Sequence, residues 1–214
     1  MQPAQNKYRR SRSVQIWFLD ADPVKSAEYQ TNHTLVKSID GCYNALCAAR
    51  FYFSGIRNRK FYEHFFGKGW KDGEGGRICP DWPLKARPPF KFYTAKFSKW
   101  CRKCREHYEY TLGFMEALLA EYEFRFRRQH GLARYAEWER RNSLNVPAGN
   151  LKKIDFPWKS LSLKYRRKDI VQGFRLQFMS QLEGDDPYLA YRGSCRDIPD
   201  FVQRHFGFQV QNFD

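Results

Sequence analysis

Apolar positions recur every three or four residues along most of the chain, a pattern that predicts helices. Residues 14–19 (VQIWFL) break it with a short continuous apolar run. Asp20-Ala-Asp22-Pro23 follows, with a capping residue ahead of a proline suited to the first helical position, so a helix is predicted to start near Asp22. From Pro23 to about Phe53, Ala27, Leu35, Val36, Ile39, Tyr43, Leu46, Cys47 and Phe51 trace one apolar face. That stretch reads as one long helix or two consecutive ones, with Gly41 as a kink or break. Between Gly55 and Phe97 the periodicity fails among glycines and prolines, and a loop of that length in a compact domain is expected to be mobile or to cover a substrate. The clearest helix is predicted over 94–129, carrying Trp100, Tyr108, Leu112, Met115, Leu118, Leu119, Tyr122 and Phe126, with Gly131 placed to end it. Another helix follows over 132–141, NVPAGN interrupts the chain, and a short amphipathic helix spans 168–182. A C-terminal segment, 197–201, docks aromatics onto the body. The expected fold is mostly α: a single-domain helical bundle over 14–214 with a long Gly/Pro-rich loop insertion, preceded by a basic N-terminal tail over 1–13.

Composition sharpens this. A chain of 214 residues, 42% hydrophobic, suits one compact domain, and 18% aromatic residues exclude a disordered chain. Lys and Arg number 38 against 23 acids, a formal charge of +15, which points to an anionic partner with nucleic acid first. The charge is blocked: 85–105 carries eight cations and no acid, 151–175 a net +6, and 1–13 and 50–77 +4 each, interleaved with aromatics that can stack bases. No apolar run approaches membrane-span length and the N-terminus lacks a signal-peptide core, so a cytoplasmic protein is expected, with no membrane partner. Six cysteines are too sparse for a disulfide scaffold.

Four residues are candidates for chemistry: Asp20 and Asp22 after the apolar run, and His33 and Lys37 at i, i+4 on one helix face. An imidazole oriented by an aspartate beside a fixed cation can move a proton at a phosphate-bearing substrate. The plainer reading has the aspartates as caps, His33 as a satisfied histidine and Lys37 as a surface stem. Cys101-x-x-Cys104, with Cys79 and His107, is a conceivable zinc set, but two thiols one turn apart facing the core explain it better. The stretch GKGWKDGEGG lacks P-loop order, and no dinucleotide fingerprint, G-x-S-x-G or H-E-x-x-H occurs.

The stretch Trp17-Phe-Leu-Asp20-Ala-Asp22-Pro23, Ala27 and Asn32-His33-Thr-Leu-Val36-Lys37 resembles the opening F-L-D-x-D-P…A…D-K-H-V-V-K-M of a group of small helical, mostly phage-encoded proteins. Trp100, Tyr108-Glu-Tyr110, Leu119-Ala-Glu121-Tyr122, Arg125, Arg127 and His130-Gly131 are similar to that group's W…N-Y-x-W…L-x-x-E-Y…R-Y-G-K-x-H helix, and Phe156-Pro157, Tyr165 and Phe174 to a later segment. Asn32 and Thr34 replace the group's aspartate and valine beside His33, and the group's second histidine has no equivalent near Phe97. The resemblance implies phage DNA metabolism: thymine hypermodification by an amino acid:DNA transferase or a glutamyl-putrescinyl thymine pyrophosphorylase-like enzyme.

The expected reaction attaches an amine or amino acid to an activated 5-hydroxymethyl pyrimidine in DNA with loss of pyrophosphate. His33 with Asp20 or Asp22 would be the base and Lys37 the nearest cation. Lys91, Lys96, Lys99, Arg102, Lys103, Lys164, Arg166 and Arg167 would hold phosphates of double-stranded DNA, and Trp17, Trp82 or Trp100 would stack on a flipped base. No cofactor or metal is expected. The alternatives are a non-enzymatic DNA-binding protein and a glycosylase- or nuclease-type enzyme. The enzymatic reading expects the cations to gather in a single trough beside His33.

Overall fold

The structure, a computed structural model, describes residues 16–55, 93–142, 144–151, 154–183 and 187–207. The basic tail, Lys91, Trp82, Cys79 and nearly all of the Gly/Pro-rich segment lie outside the described residues. Those described are mostly helical, with no strand among them. The helices are α1 (Pro23–Glu28), α2 (Asn32–Phe53), α3 (Lys96–Cys101), α4 (Arg105–Phe126), α5 (Ala133–Arg141), α6 (Ile170–Leu182), α7 (Pro187–Tyr191) and α8 (Asp200–Phe206). None is long and apolar enough to cross a membrane.

Residues 16–19 form no helix, yet Phe18 and Leu19 are completely buried. Such a segment must satisfy its backbone through side chains. Ser26 Oγ accepts from the Leu19 N–H (3.0 Å) and donates to the Trp17 carbonyl (3.2 Å), and the Leu19 carbonyl accepts from Arg175 Nε (2.7 Å). The Phe18 ring then packs against Phe97, Trp100, Tyr110, Phe114, Phe156 and Phe174 at centroid distances of 4.9–5.8 Å for five of them and 5.9 Å for Tyr110. This one side chain gathers α3, α4, α6 and the segment before α6 around a common core.

Asp22 caps α1 as expected, accepting from the Val24 and Lys25 N–H groups with Pro23 in the first turn. The chain from Pro23 to Phe53 is two helices, and the break falls at Tyr29–Thr31 rather than at Gly41, which is buried inside α2. Thr31 caps α2 through the Thr34 N–H, and Arg125 of α4 holds the turn open by donating to the Glu28 and Gln30 carbonyls (2.9 and 2.7 Å). The helix expected over 94–129 is likewise two. Cys104 is extended (φ −158°) between them, and Arg102 lies between the Tyr52 and Tyr93 rings (4.8 and 4.3 Å) while donating to the Tyr93 carbonyl. Neither glycine nor proline marks that break; tertiary packing makes it. Arg127, left-handed at φ 53°, ends α4 four residues ahead of Gly131.

Helices α2 and α4 run antiparallel. Asn32 of α2 meets Arg125 near the end of α4 (3.2 Å), whereas at the far end Arg50 donates to Glu139 of α5 (2.8 Å), which also accepts from Tyr108 of α4. Helix α1 lies on α4, α3 on α2, and α5 on α4.

Candidate functional site

Both aspartates of the D-x-D segment are engaged structurally. Asp22 is the α1 cap, and Asp20 accepts from the Asp22 N–H (3.0 Å) and pairs with Arg175 of α6 (3.0 Å). Asp22 stands at the N-terminal end of α1 and α2 begins beyond its other end, about 9 Å away at a 1.5 Å rise. The expected partnership with His33 is therefore not formed: among the described residues no hydrogen bond or ion pair joins His33 to either acid. The D-x-D-P segment is a folding device here.

His33 itself is exposed on the first turn of α2 and lines a cavity of about 300 Å³ with Thr34, Phe178, Gln181, Leu182 and Leu189. Lys37 and Asp40 follow four and seven residues later, within about 40° of His33 round the helix, so the three form one surface strip. At its far end the strip meets His130, which lies beyond α4 and whose Nδ1 accepts from the Leu132 N–H (3.1 Å). That bond leaves Nε2 to carry the proton of the neutral ring. Desolvation pushes the Asp40 carboxyl above its ordinary value against the pull of His130 and Lys37. It also pushes the His130 imidazole down, with Asp40 opposing and Arg128 adding to the effect. A carboxyl raised and an imidazole lowered lie closer in proton affinity than the free groups do. Sequence reasoning named neither Asp40 nor His130 as a site residue. The i, i+7 spacing from His33 was the available signal for Asp40; for His130 only the fold brings it near.

The described cations among those expected to hold phosphates separate into two classes. Arg102 is committed to its tyrosine cage, and the desolvation there lowers its proton affinity. Lys96 and Lys99 are exposed on α3 and Lys103 just after it, Lys96 donating to the Lys159 carbonyl (2.8 Å) and Lys103 pairing with Asp155 (3.0 Å). Lys164 and Arg167 are exposed before α6 and Arg166 is half-buried. The Lys96–Lys159 bond sets α3 beside the start of the 159–168 block, and the two together are the cationic shelf.

The shelf does not adjoin His33. Cys42, electrostatically coupled to Cys101 at the end of α3, is nine residues from His33, which places α3 about 180° round α2 from the strip. Tyr165 bonds Ser180 on α6, about 100–160° round that helix from Phe178, Gln181 and Leu182 of the cavity. The single trough expected beside His33 thus resolves into a shelf on one side of the bundle and a strip on the other. Trp17 and Trp100 are not available for stacking on a base: both are buried, Trp17 edge-on to Phe178 and Trp100 stacked on His107 with its indole N–H donating to the Asp155 carbonyl.

Cys101 and Cys104 do not lie within one helix; Cys101 ends α3 and Cys104 precedes α4, both as free thiols. Among the described residues no group of three or more His, Cys, Asp or Glu side chains could hold a metal ion. Comparison with known proteins finds no matching family model, no matching curated protein and no matching solved structure.

Proposed function

We propose that this protein acts on DNA in the cytoplasm, holding the phosphate backbone on the shelf formed by α3 and residues 159–168. The observation that carries this reading is the Lys96–Lys159 contact, which sets side by side two basic blocks about sixty residues apart in sequence. Neutralising several phosphates releases condensed counterions, so binding should weaken steeply with salt and depend little on sequence. Lys99→Glu with Lys164→Glu should cut affinity for a duplex oligonucleotide and flatten the slope of log affinity against log salt by about 0.9 per lost contact. Fluorescence anisotropy across a salt series measures both, and an unchanged slope sinks the shelf.

A second reading, favoured by the open imidazole beside its cavity, is the base-modifying transferase. An incoming amine would displace pyrophosphate from an activated 5-hydroxymethyl pyrimidine: the nitrogen bonds the methylene carbon, the carbon–oxygen bond breaks, and the amine proton passes to His33 or the Asp40–His130 pair. Lys37 would face the leaving group. The test supplies duplex DNA carrying the pyrophosphorylated base together with an amine or amino acid, and follows released pyrophosphate and nucleoside mass. Turnover lost in His33→Ala with DNA affinity intact supports the transferase. Free base or strand breaks would indicate a glycosylase or nuclease, and no product in any assay leaves the non-enzymatic binder.

A further inference from the structure

Tyr165 ends the short 3-10 turn Leu163–Tyr165, and its place against α6 is fixed at two points. Its carbonyl lies so near Gly173 that a Cβ there would come within 2.5 Å of it, and the Ser162 N–H donates to Gln177 Oε1 (2.8 Å). The phenol lies along α6 and donates to Ser180 Oγ (2.5 Å), whose own proton goes to the Gln177 carbonyl over a long 3.3 Å. That weak second bond leaves the serine hydroxyl free to turn and donate to a phenolate. The Lys164 ammonium stands over the ring, 4.6 Å from its centroid. The ring is only half-buried, and Arg166, Arg167 and Lys168 follow it directly.

These groups hold the hydroxyl below the ordinary tyrosine value, Lys164 most and Ser180 next, against partial burial and the Glu183 carboxylate. Glu183, on the same side of α6, is itself 3.4 Å from His205 of α8. A phenol between an ammonium and a hydroxyl, open to solvent in a cationic stretch, has the parts of a proton-transfer group.

We propose that Lys164, Tyr165 and Ser180 form a second chemical site, in which the Tyr165 phenolate takes a proton from a hydroxyl or amine of a phosphate-bearing ligand held by Lys164 and Arg167. The proton leaves the ligand's O–H or N–H and forms the phenolic O–H, and no other bond at the protein changes. The ligand class rests on the polyanion-binding reading of the shelf, whereas the acidity of the phenol does not.

The test is the near-ultraviolet titration of tyrosinate absorbance in the wild-type protein, with the Tyr165→Phe variant subtracted. One hydroxyl should titrate below the reference of about 10, shift up in Lys164→Met and, less far, in Ser180→Ala. The absence of such a component in folded wild-type protein overturns the site. A bound phosphate adds negative charge beside the phenolate, so it should move that titration upward. A shift with duplex DNA alone assigns a nucleic-acid backbone as the source, a shift with inorganic pyrophosphate assigns a free phosphate, and a shift with neither overturns the ligand assignment. Loss of DNA binding in the Lys99→Glu, Lys164→Glu protein is scored separately. Wild-type protein that fails to bind duplex but keeps the acidic phenol sinks the shelf and not this site.

Discussion

His33 and His107 occupy nearly equivalent places, the second and third residues of two helices of 22 residues each, and the protein uses them oppositely. His107 is completely buried, its Nδ1 held by the Trp100 carbonyl (3.0 Å), its Nε2 by Asp155, and its ring stacked on Trp100 at 4.2 Å. His33 is exposed beside a cavity with no hydrogen-bond partner among the described residues. One imidazole joins α3, α4 and the 154–157 segment; the other is available. The lesson is that residue type and helical position do not distinguish a rivet from a reagent, whereas the state of the two ring nitrogens does.

The comparison breaks first where the buried end of α4 is disturbed. Tyr108, adjacent to His107, donates to Glu139, which is fully buried and pairs with Arg50. Arg50→Met leaves that carboxylate uncompensated and should cost about 3–5 kcal/mol, read as a drop in the urea midpoint at unchanged slope. A smaller loss would mean that water reaches Glu139. Next, His107→Leu takes one donor each from the Trp100 carbonyl and Asp155, both of which keep Lys103, and should cost about 1–3 kcal/mol, measured the same way. A cost near zero would remove the contrast between the two histidines.

A smaller effect sharpens the buried end through pH. Glu106 accepts from its own N–H and from the N–H groups of Gly149 (2.8 Å) and Leu151 (3.4 Å), which bring its carboxyl down to about 2. Burial pushes Asp155 up, but Lys103 and His107 overcome it and leave it below its ordinary value. Groups depressed in the folded state contribute stability that is complete above their unfolded values and is lost as pH falls through the folded ones. Stability should therefore decline between about pH 4.5 and 2, and Glu106→Gln should flatten the decline. A variant with the wild-type acid slope would remove Glu106 from that linkage.

Much of the fold was legible because its signals are local: Asp22-Pro23 starts α1, and the apolar spacing over 132–141 and 168–182 marks the helices that form as Ala133–Arg141 and Ile170–Leu182. The breaks at Tyr29–Thr31 and Arg102–Cys104 were not, since each is held by partners distant in sequence, Arg125 in the first and Tyr52 in the second. The site was legible only in part for a related reason. Phe18, Asp22, Trp100, Glu121 and Arg125 carry part of the resemblance, and each is a core, cap or buried ion-pair residue. A pattern made of such residues describes how a chain folds. His33, Asp40, His130 and Tyr165 depend on which faces of α2 and α6 stay open, and no spacing rule supplies that.

The smallest expected effect on stability is the most informative. His33→Ala removes an exposed side chain that makes no hydrogen bond among the described residues and leaves the Thr31 cap of α2 in place, so the midpoint should shift by less than about 0.5 kcal/mol. Affinity for duplex DNA should also hold, because the shelf lies on the far side of α2 from this strip. If the midpoint falls by as much as in His107→Leu, His33 is a second rivet, and its unpartnered ring no longer marks a chemical site. If stability and affinity both stand while pyrophosphate release is lost, the two histidines divide the work of helices α4 and α2 into holding the fold and acting on a substrate.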